Sequence, residues 1–219
     1  MNQRPIHVLC VTILAAVVAA GCKSSSSSSK VPKSAGAVTG LQQTKGELAK
    51  GRQQVDQTVA AANALRDAQG DLRPAYKRLD EEINKLEAEA KRIRERSDDM
   101  RARAQEYQRN WQAEVNQMQN PTLRDAATQR SSNVRERYDR MQQLARDARS
   151  AYEPLIRDLK DLRTYAANDM TPAAMKAAAP MFDKINADAK DLNAKIDAMT
   201  KELTDAAASM SPTVAEPKP

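Results

Sequence analysis

Between residues 72 and 118 the apolar side chains fall on spacings of three and four in alternation. They are Leu72, Tyr76, Leu79, Ile83, Leu86, Ala90 and Ile93, then Met100, Ala104, Tyr107, Trp111 and Met118, with Ser97 and Glu114 breaking the seam. A repeat of about 3.5 residues draws one stripe along a helix, which packs knobs into holes against a nearly parallel neighbour. The pattern recurs at Val134, Tyr138, Met141, Ala145, Ala148, Tyr152, Leu155, Leu159, Leu162 and Ala166. It returns at Met175, Ala178, Phe182, Ile185, Ala189, Leu192, Ile196, Met199, Leu203 and Ala206, and a weaker first stripe holds Leu41, Leu48, Val55, Ala62 and Leu65. With one Phe, one Trp and an abundance of Ala, Glu, Lys, Arg and Gln, the composition leaves little for strands to use.

Four amphipathic helices follow from these stripes, and their ends are marked. Asn120-Pro121 offers an N-cap followed by proline at the first helical position, which starts the third helix. Thr171-Pro172 repeats the signal for the fourth, after Asn168-Asp169. Gly70-Asp71 and Pro74 separate the first helix from the second, although the apolar register runs through them, so a kinked continuous helix is the alternative. Pro154 and Pro180 lie inside helical segments and are expected to kink them. Short connections between long helices make antiparallel neighbours. The expected fold is therefore all-α: an elongated antiparallel bundle, or coiled-coil hairpin, of about four helices over residues 41–210. Its thin core, rich in Ala and Met, also leaves room for self-association.

The N-terminus carries a different message. A basic start through Arg4 precedes an apolar run from Val8 to Ala20, shorter than the roughly twenty residues a membrane-spanning helix needs. This is the form of an export signal, here residues 1–21. Ala19-Ala20-Gly21-Cys22 resembles the lipobox of bacterial lipoproteins, with Ala19 where leucine is usual. The resemblance implies cleavage between Gly21 and Cys22 and lipidation of Cys22. Two or three acyl chains, at about 0.8 kcal/mol per buried methylene, anchor a protein durably. Lys23 is not the aspartate that retains such proteins at an inner membrane, so an outer-membrane anchor facing the periplasm is expected where two membranes exist. Residues 22–40, with six consecutive serines from Ser24 to Ser29, read as a flexible tether, and 211–219 as a disordered tail.

Catalysis finds few tools here. Cys10 and His7 leave with the signal and Cys22 is modified, so the mature chain keeps no thiol or imidazole for a nucleophile, a tuned base or a metal ligand. Carboxylate pairs such as Glu81-Glu82 and Asp98-Asp99 stand beside Lys and Arg as a solvated face would. No enzyme activity, cofactor or metal site is expected.

The charge, +6 overall, is unevenly placed. Lys91, Arg92, Arg94, Arg96, Arg101 and Arg103 crowd one stretch; Arg130, Arg135, Arg137, Arg140, Arg146 and Arg149 crowd another. Folding at Asn120 sets the two stretches side by side as a basic belt. Export removes nucleic acid as a partner and leaves anionic glycans, cell-wall polymer or lipid head groups. Inter-helix salt bridges explain the same charges more plainly. Tyr107, Trp111 and Met118, near the expected hairpin tip, suit either an aromatic anchor for a partner or simple core packing.

The chain also resembles a family of bacterial envelope proteins known only as a domain of unknown function. The resemblance rests on Gly70-Asp71-Leu72, Tyr76, Leu79, Trp111 with Glu114, and Asn120-Pro121-Thr122-Leu123-Arg124. It continues through Arg137-Tyr138, Glu153-Pro154-Leu155 and the turn between Leu162 and Met175, covering most of 41–208. It implies export and a helical hairpin and supplies no activity. The expected function is a lipid-anchored, non-enzymatic scaffold or spacer in the cell envelope that meets envelope proteins. The alternative is a periplasmic binding module or chaperone-like clamp for client proteins or an anionic cell-wall polymer.

Overall fold

The computed structural model describes residues 33–210, and these fold as five helices with no strand. The expected signal, the Gly21–Cys22 cleavage point, Cys22 and the tail after residue 210 lie outside the described residues. Helix α1 spans Lys33–Asp67, α2 Arg73–Asn116, α3 Pro121–Asn168, α4 Pro172–Ala177 and α5 Ala179–Met210.

The four long helices run up and down in turn. Helix α1 lies between α2 and α5, and α3 closes the square against the same two neighbours. Each contact line has its own polar markers. Gln54 Nε2 donates to Glu82 Oε2 at 2.7 Å between α1 and α2. Lys160 meets Glu87 at 2.5 Å and Arg163 meets Asp80 at 3.0 Å between α2 and α3. Lys184 reaches Asp158 at 2.5 Å between α3 and α5, and Arg52 reaches Asp197 at 3.0 Å between α1 and α5. At 48 residues α3 is the longest element, about 70 Å at 1.5 Å per residue.

One core runs along the bundle, and the expected stripes supply it. Leu155, Leu159, Leu162, Phe182, Ile185, Leu72, Leu79 and Ile83 are essentially sealed from solvent. The first stripe is more regular than its apolar members suggest. Between Leu41, Leu48, Val55 and Ala62 stand Thr44, Gly51 and Thr58, all buried, which completes the heptad with small residues. The threonine hydroxyls are satisfied locally: Thr58 donates to the Gln54 carbonyl at 2.8 Å, Thr44 to the Gly40 carbonyl at 2.9 Å. At Gly51 the glycine lets Ile93 approach closely: a Cβ there would sit 2.5 Å from Ile93 Cδ1 as it now lies, and that side chain would have to shift.

The turns settle the open readings. Helices α1 and α2 are separate, and Gly70 takes φ +78°, a left-handed conformation that suits glycine. The apolar register nonetheless passes through, because Leu72 in the turn is itself buried. Asp71 Oδ1 accepts from the Arg73 backbone N–H at 3.0 Å and so serves the start of α2. At the hairpin Asn120 Oδ1 accepts from Leu123 N at 3.1 Å, and Thr171 Oγ1 accepts from Ala174 N at 3.2 Å, as their sequence positions predict.

Three expectations need correction. The fourth helix is broken rather than kinked, ending at Ala177 and resuming at Ala179. Pro180 has no N–H to donate and its ring crowds the carbonyl four residues back, which favours a break there. Helix α3, by contrast, continues across Pro154. The helical domain also begins at Lys33, inside the stretch expected to be tether up to residue 40. At the far end of α2 the seam turns on Val115, 2% exposed, while Met118 is only half-buried.

Candidate functional site

The long helices do not pack equally along their lengths. Near the α1–α2 turn the core is full, whereas toward the α2–α3 tip the stripe residues Ala90, Ile93, Met100, Ala104, Tyr107 and Trp111 are only half-buried. The reason lies in the stripes: Ala145 and Ala148 on α3 and glycines on α1 replace the leucines found nearer the turn. Small side chains on three sides leave space, and the space collects into two cavities along the α2–α3 side.

The first, about 400 Å³, sits where α1 begins and α5 ends. Its walls include Gly36, Gly40, Met100, Ala104, Tyr107 and Met141, and Arg103, Glu106 and Arg137 stand on its lining. The second, about 310 Å³, lies further along, between Gly51, Ile93, Ala148 and Tyr152, with Arg94, Arg101, Arg146 and Arg149 around it. Tyr138, on the lining of the first, accepts at its hydroxyl from Nε2 of Gln142, on the lining of the second, at 2.6 Å. Burial pushes the phenols of Tyr107 and Tyr138 up, and that of Tyr152 up to about 12. These rings are therefore neutral throughout the physiological range and act as walls.

The two basic stretches do come together, but most members of the belt are spoken for. Lys91 pairs with Glu95 at 3.9 Å and Arg92 with Glu89. Arg101 pairs with Asp98 at 3.6 Å, and Arg94 Nε donates to the Ala90 carbonyl at 3.3 Å. Arg137 and Arg140 share Glu202 of α5 at 3.4 and 3.5 Å, and Arg130 donates to the Ser209 carbonyl at 3.0 Å. Arg96, Arg103 and Arg135 make no ion pair or hydrogen bond among the described residues. The belt is thus partly bracing that ties α3 to α5 and partly free charge. The exposed pairs Lys91–Glu95 and Arg101–Asp98 contribute roughly 0–1 kcal/mol each, so their main effect is on surface potential.

At the tip, Tyr107 and Trp111 meet edge to face, with ring centroids 5.3 Å apart and planes at 76°. Both are half-buried, as is Met118, so they belong to the seam at least as much as to the surface. The conspicuous apolar group there is Leu123, 62% exposed in the first turn of α3, which the stripe pattern passes over. Sequence reasoning also misses Gln108, whose Nε2 is buried with no partner, and Glu89, 5% exposed with one carboxylate oxygen unpartnered. Neither stands on a stripe, and only the angular position between two helices reveals them. A pair of glycines four apart, Gly36 and Gly40, is the one local signal available, and it falls in the stretch read as tether.

Among the described residues no three His, Cys, Asp or Glu side chains gather as a metal site, and no helix is long and apolar enough to cross a membrane. Residues 28–212 match a protein family described as "Protein of unknown function (DUF2959)". No curated protein and no solved structure matches the chain.

Proposed function

The chain belongs to this family, whose description assigns no activity, and from its own geometry we propose that it is a non-enzymatic, lipid-anchored scaffold or spacer of the bacterial cell envelope. The observation that carries the reading is the placement of the ends. Gly36 and Met210 line the same cavity as Tyr107, so α1 begins and α5 ends at the end of the bundle from which the α2–α3 tip projects. An acylated Cys22 would be joined to Lys33 by residues 23–32, a reach of at most roughly 35 Å at about 3.3–3.6 Å per residue. Lys33, where that tether would attach, lies at the same end of the bundle as the tip with exposed Leu123, and the Gly70 turn lies at the other end.

A continuous core and inter-helix ion pairs suit an element that holds a distance. The test has two parts. Replacing Cys22 by Ser should move the chain from the membrane fraction to the soluble fraction, and mass analysis of the mature wild-type chain should find acyl groups on Cys22. Photocrosslinkers at Leu123 and Arg135 in intact cells should then capture discrete envelope proteins; self-adducts alone at both positions would sink the scaffold.

A second reading, a binding module or clamp for an anionic polymer or client proteins, draws on Arg96, Arg103 and Arg135, which are free of ion pairs among the described residues. Saturable binding of an anionic glycan that weakens steeply with salt would favour the polymer form of this reading. Salt-insensitive capture of unfolded chains would favour the clamp.

A further inference from the structure

A four-helix core needs a helix on each side, and at one end of this bundle two of the four stop short. Arg130 donates to the Ser209 carbonyl at 3.0 Å, so α5 ends beside Arg130. Helix α1 begins three residues before Gly36, which shares a cavity lining with Tyr107. Helices α2 and α3 run on. Between Arg130 and Pro121, α3 covers about 14 Å at 1.5 Å per residue. The core stripe runs on with it. Backward from Tyr138, α3 keeps Val134, Ser131 and Ala127 half-buried, spaced by threes and fours, and a further step of four lands on Leu123. Facing them, α2 and the turn after it carry Trp111, Val115 and Met118. Leu123 is the most exposed large apolar side chain among the described residues. It holds a core position that α1 and α5 do not reach.

The chain enters α1 and leaves α5 at this end, and the two segments differ in what they can bury. Residues 23–32 are dominated by serine. Residues 211–219 read Ser-Pro-Thr-Val-Ala-Glu-Pro-Lys-Pro, and they follow Met210, which lines the same cavity as Tyr107 at the foot of the open face. Three prolines in nine residues favour the polyproline II form, which advances about 3.1 Å per residue. At that rise Val214 falls about 12 Å beyond Met210. Leu123, seven residues from Arg130, lies about 10 Å along α3 from it. The apolar residue of the tail and the apolar residue of the face therefore stand at the same level.

We propose that the C-terminal segment, residues 211–219, docks along this open face of the α2–α3 hairpin, with Pro212 against Tyr107 and Trp111 and Val214 over Met118 and Leu123. Rings set nearly at right angles, here at 76°, offer a proline ring the two walls of a corner. Proline-rich segments dock on aromatic surfaces of this kind because a stiff chain has little freedom left to lose. The reach is set by chain length: nine residues cover the face, and the tail need not leave the molecule that carries it. The inference is independent of the scaffold reading, since it asks only for the folded bundle and its own C-terminus.

The test reads the fluorescence of Trp111, the single tryptophan of the chain. The full chain carrying Cys22→Ser, so that no acyl group contributes, is compared with the same chain ending at Met210. Removing the tail should red-shift the emission and raise the acrylamide quenching constant about twofold, as water replaces an apolar cover. The circular dichroism of the helices should not change. Val214→Asp, which leaves α5 whole, should have the same effect and decides the matter if the shortened chain frays. Both differences should be independent of protein concentration. Identical emission and quenching in all three chains, or a change on truncation that Val214→Asp does not share, would overturn the proposal. So would a difference that vanishes on dilution, which would give the face to a second copy. A Trp111 as open in the full chain as in the shortened one, and covered only on addition of phosphatidylglycerol vesicles, would overturn it in favour of a membrane surface.

Discussion

Asn63 and Asn186 exchange amide hydrogen bonds across the α1–α5 interface, each Nδ2 donating to the other's Oδ1 at 3.0 Å. Asn186 also donates to the Phe182 carbonyl at 2.7 Å. The pair lies 123 positions apart in sequence and fixes how α5 slides along α1. A one-heptad slip would preserve much of the apolar packing, but it would separate these two amides.

Removing one amide should therefore cost more than removing both. Asn63→Leu leaves the partner half-satisfied and is expected to destabilise the bundle by about 1–2 kcal/mol. The double change, Asn63→Leu with Asn186→Leu, should recover most of that loss. Urea denaturation of the four variants of the cycle gives the coupling, and strictly additive losses would show that the amides do not act as a pair.

The glycines of α1 should separate by environment. Gly40→Ala is expected to stabilise by about 0.5–1 kcal/mol, since the new methyl group meets nothing and the unfolded chain loses freedom. Gly51→Leu should destabilise by about 1–3 kcal/mol, because its Cβ alone already crowds Ile93. Thermal unfolding monitored by circular dichroism checks both signs, and a destabilised Gly40→Ala would contradict the open space drawn around that residue.

Stability should fall in acid through Glu82. This side chain is buried against α1, and hydrogen bonds from Lys85 and then Gln54 hold its carboxyl below the usual glutamate range despite the opposing effect of burial. A folded pKa lower than the unfolded one contributes stability that is complete above the unfolded value of about 4.3. It is lost as pH falls from there through the folded value. Glu82→Gln should remove this part of the acid dependence, so that the wild-type and variant denaturation midpoints differ at pH 7 and converge below pH 4. Parallel curves across that window would assign the acid sensitivity elsewhere.

The two ends of the rod should open at different free energies. Leu159, fully buried at the core-rich end, should cost about 2–5 kcal/mol when changed to Ala. Val115→Ala should have a smaller, local effect, because the surrounding tip is mostly exposed. Hydrogen exchange should show amides in 111–130 opening well before those in 155–166, and uniform protection would contradict this gradient.

Most of the architecture was legible because it depends on a one-dimensional period. The stripe on α5 predicts the buried residues position by position, that on α3 does so from Leu155 onward but passes over Ala151 and Asp158, and Asn120 and Thr171 act as the caps their chemistry implies. The first stripe was legible only at alternate positions, since Thr44, Gly51 and Thr58 are buried for their size rather than for apolar character. The site was less legible. That α2 and α3 bring two basic stretches together follows from the turn; that Glu202 takes up two of the arginines depends on the angle at which α5 meets α3. The cavities depend on what is missing from several helices at one level, and no single stripe records that.

The placement of the start of α1 beside the end of α5 gives the rod a mechanical direction. Tension applied between residues 33 and 210 acts across α1 and α5 at their shared end. It opens their contacts in sequence from that end, reaching the pair Arg52–Asp197 before Asn63–Asn186. Tension applied between residue 33 and the Gly70 turn instead runs along α1 and loads its contacts with α2 and α5 together, in shear. The same set of side chains therefore forms a zipper when the ends are pulled apart and a strut when the rod is pulled along its axis.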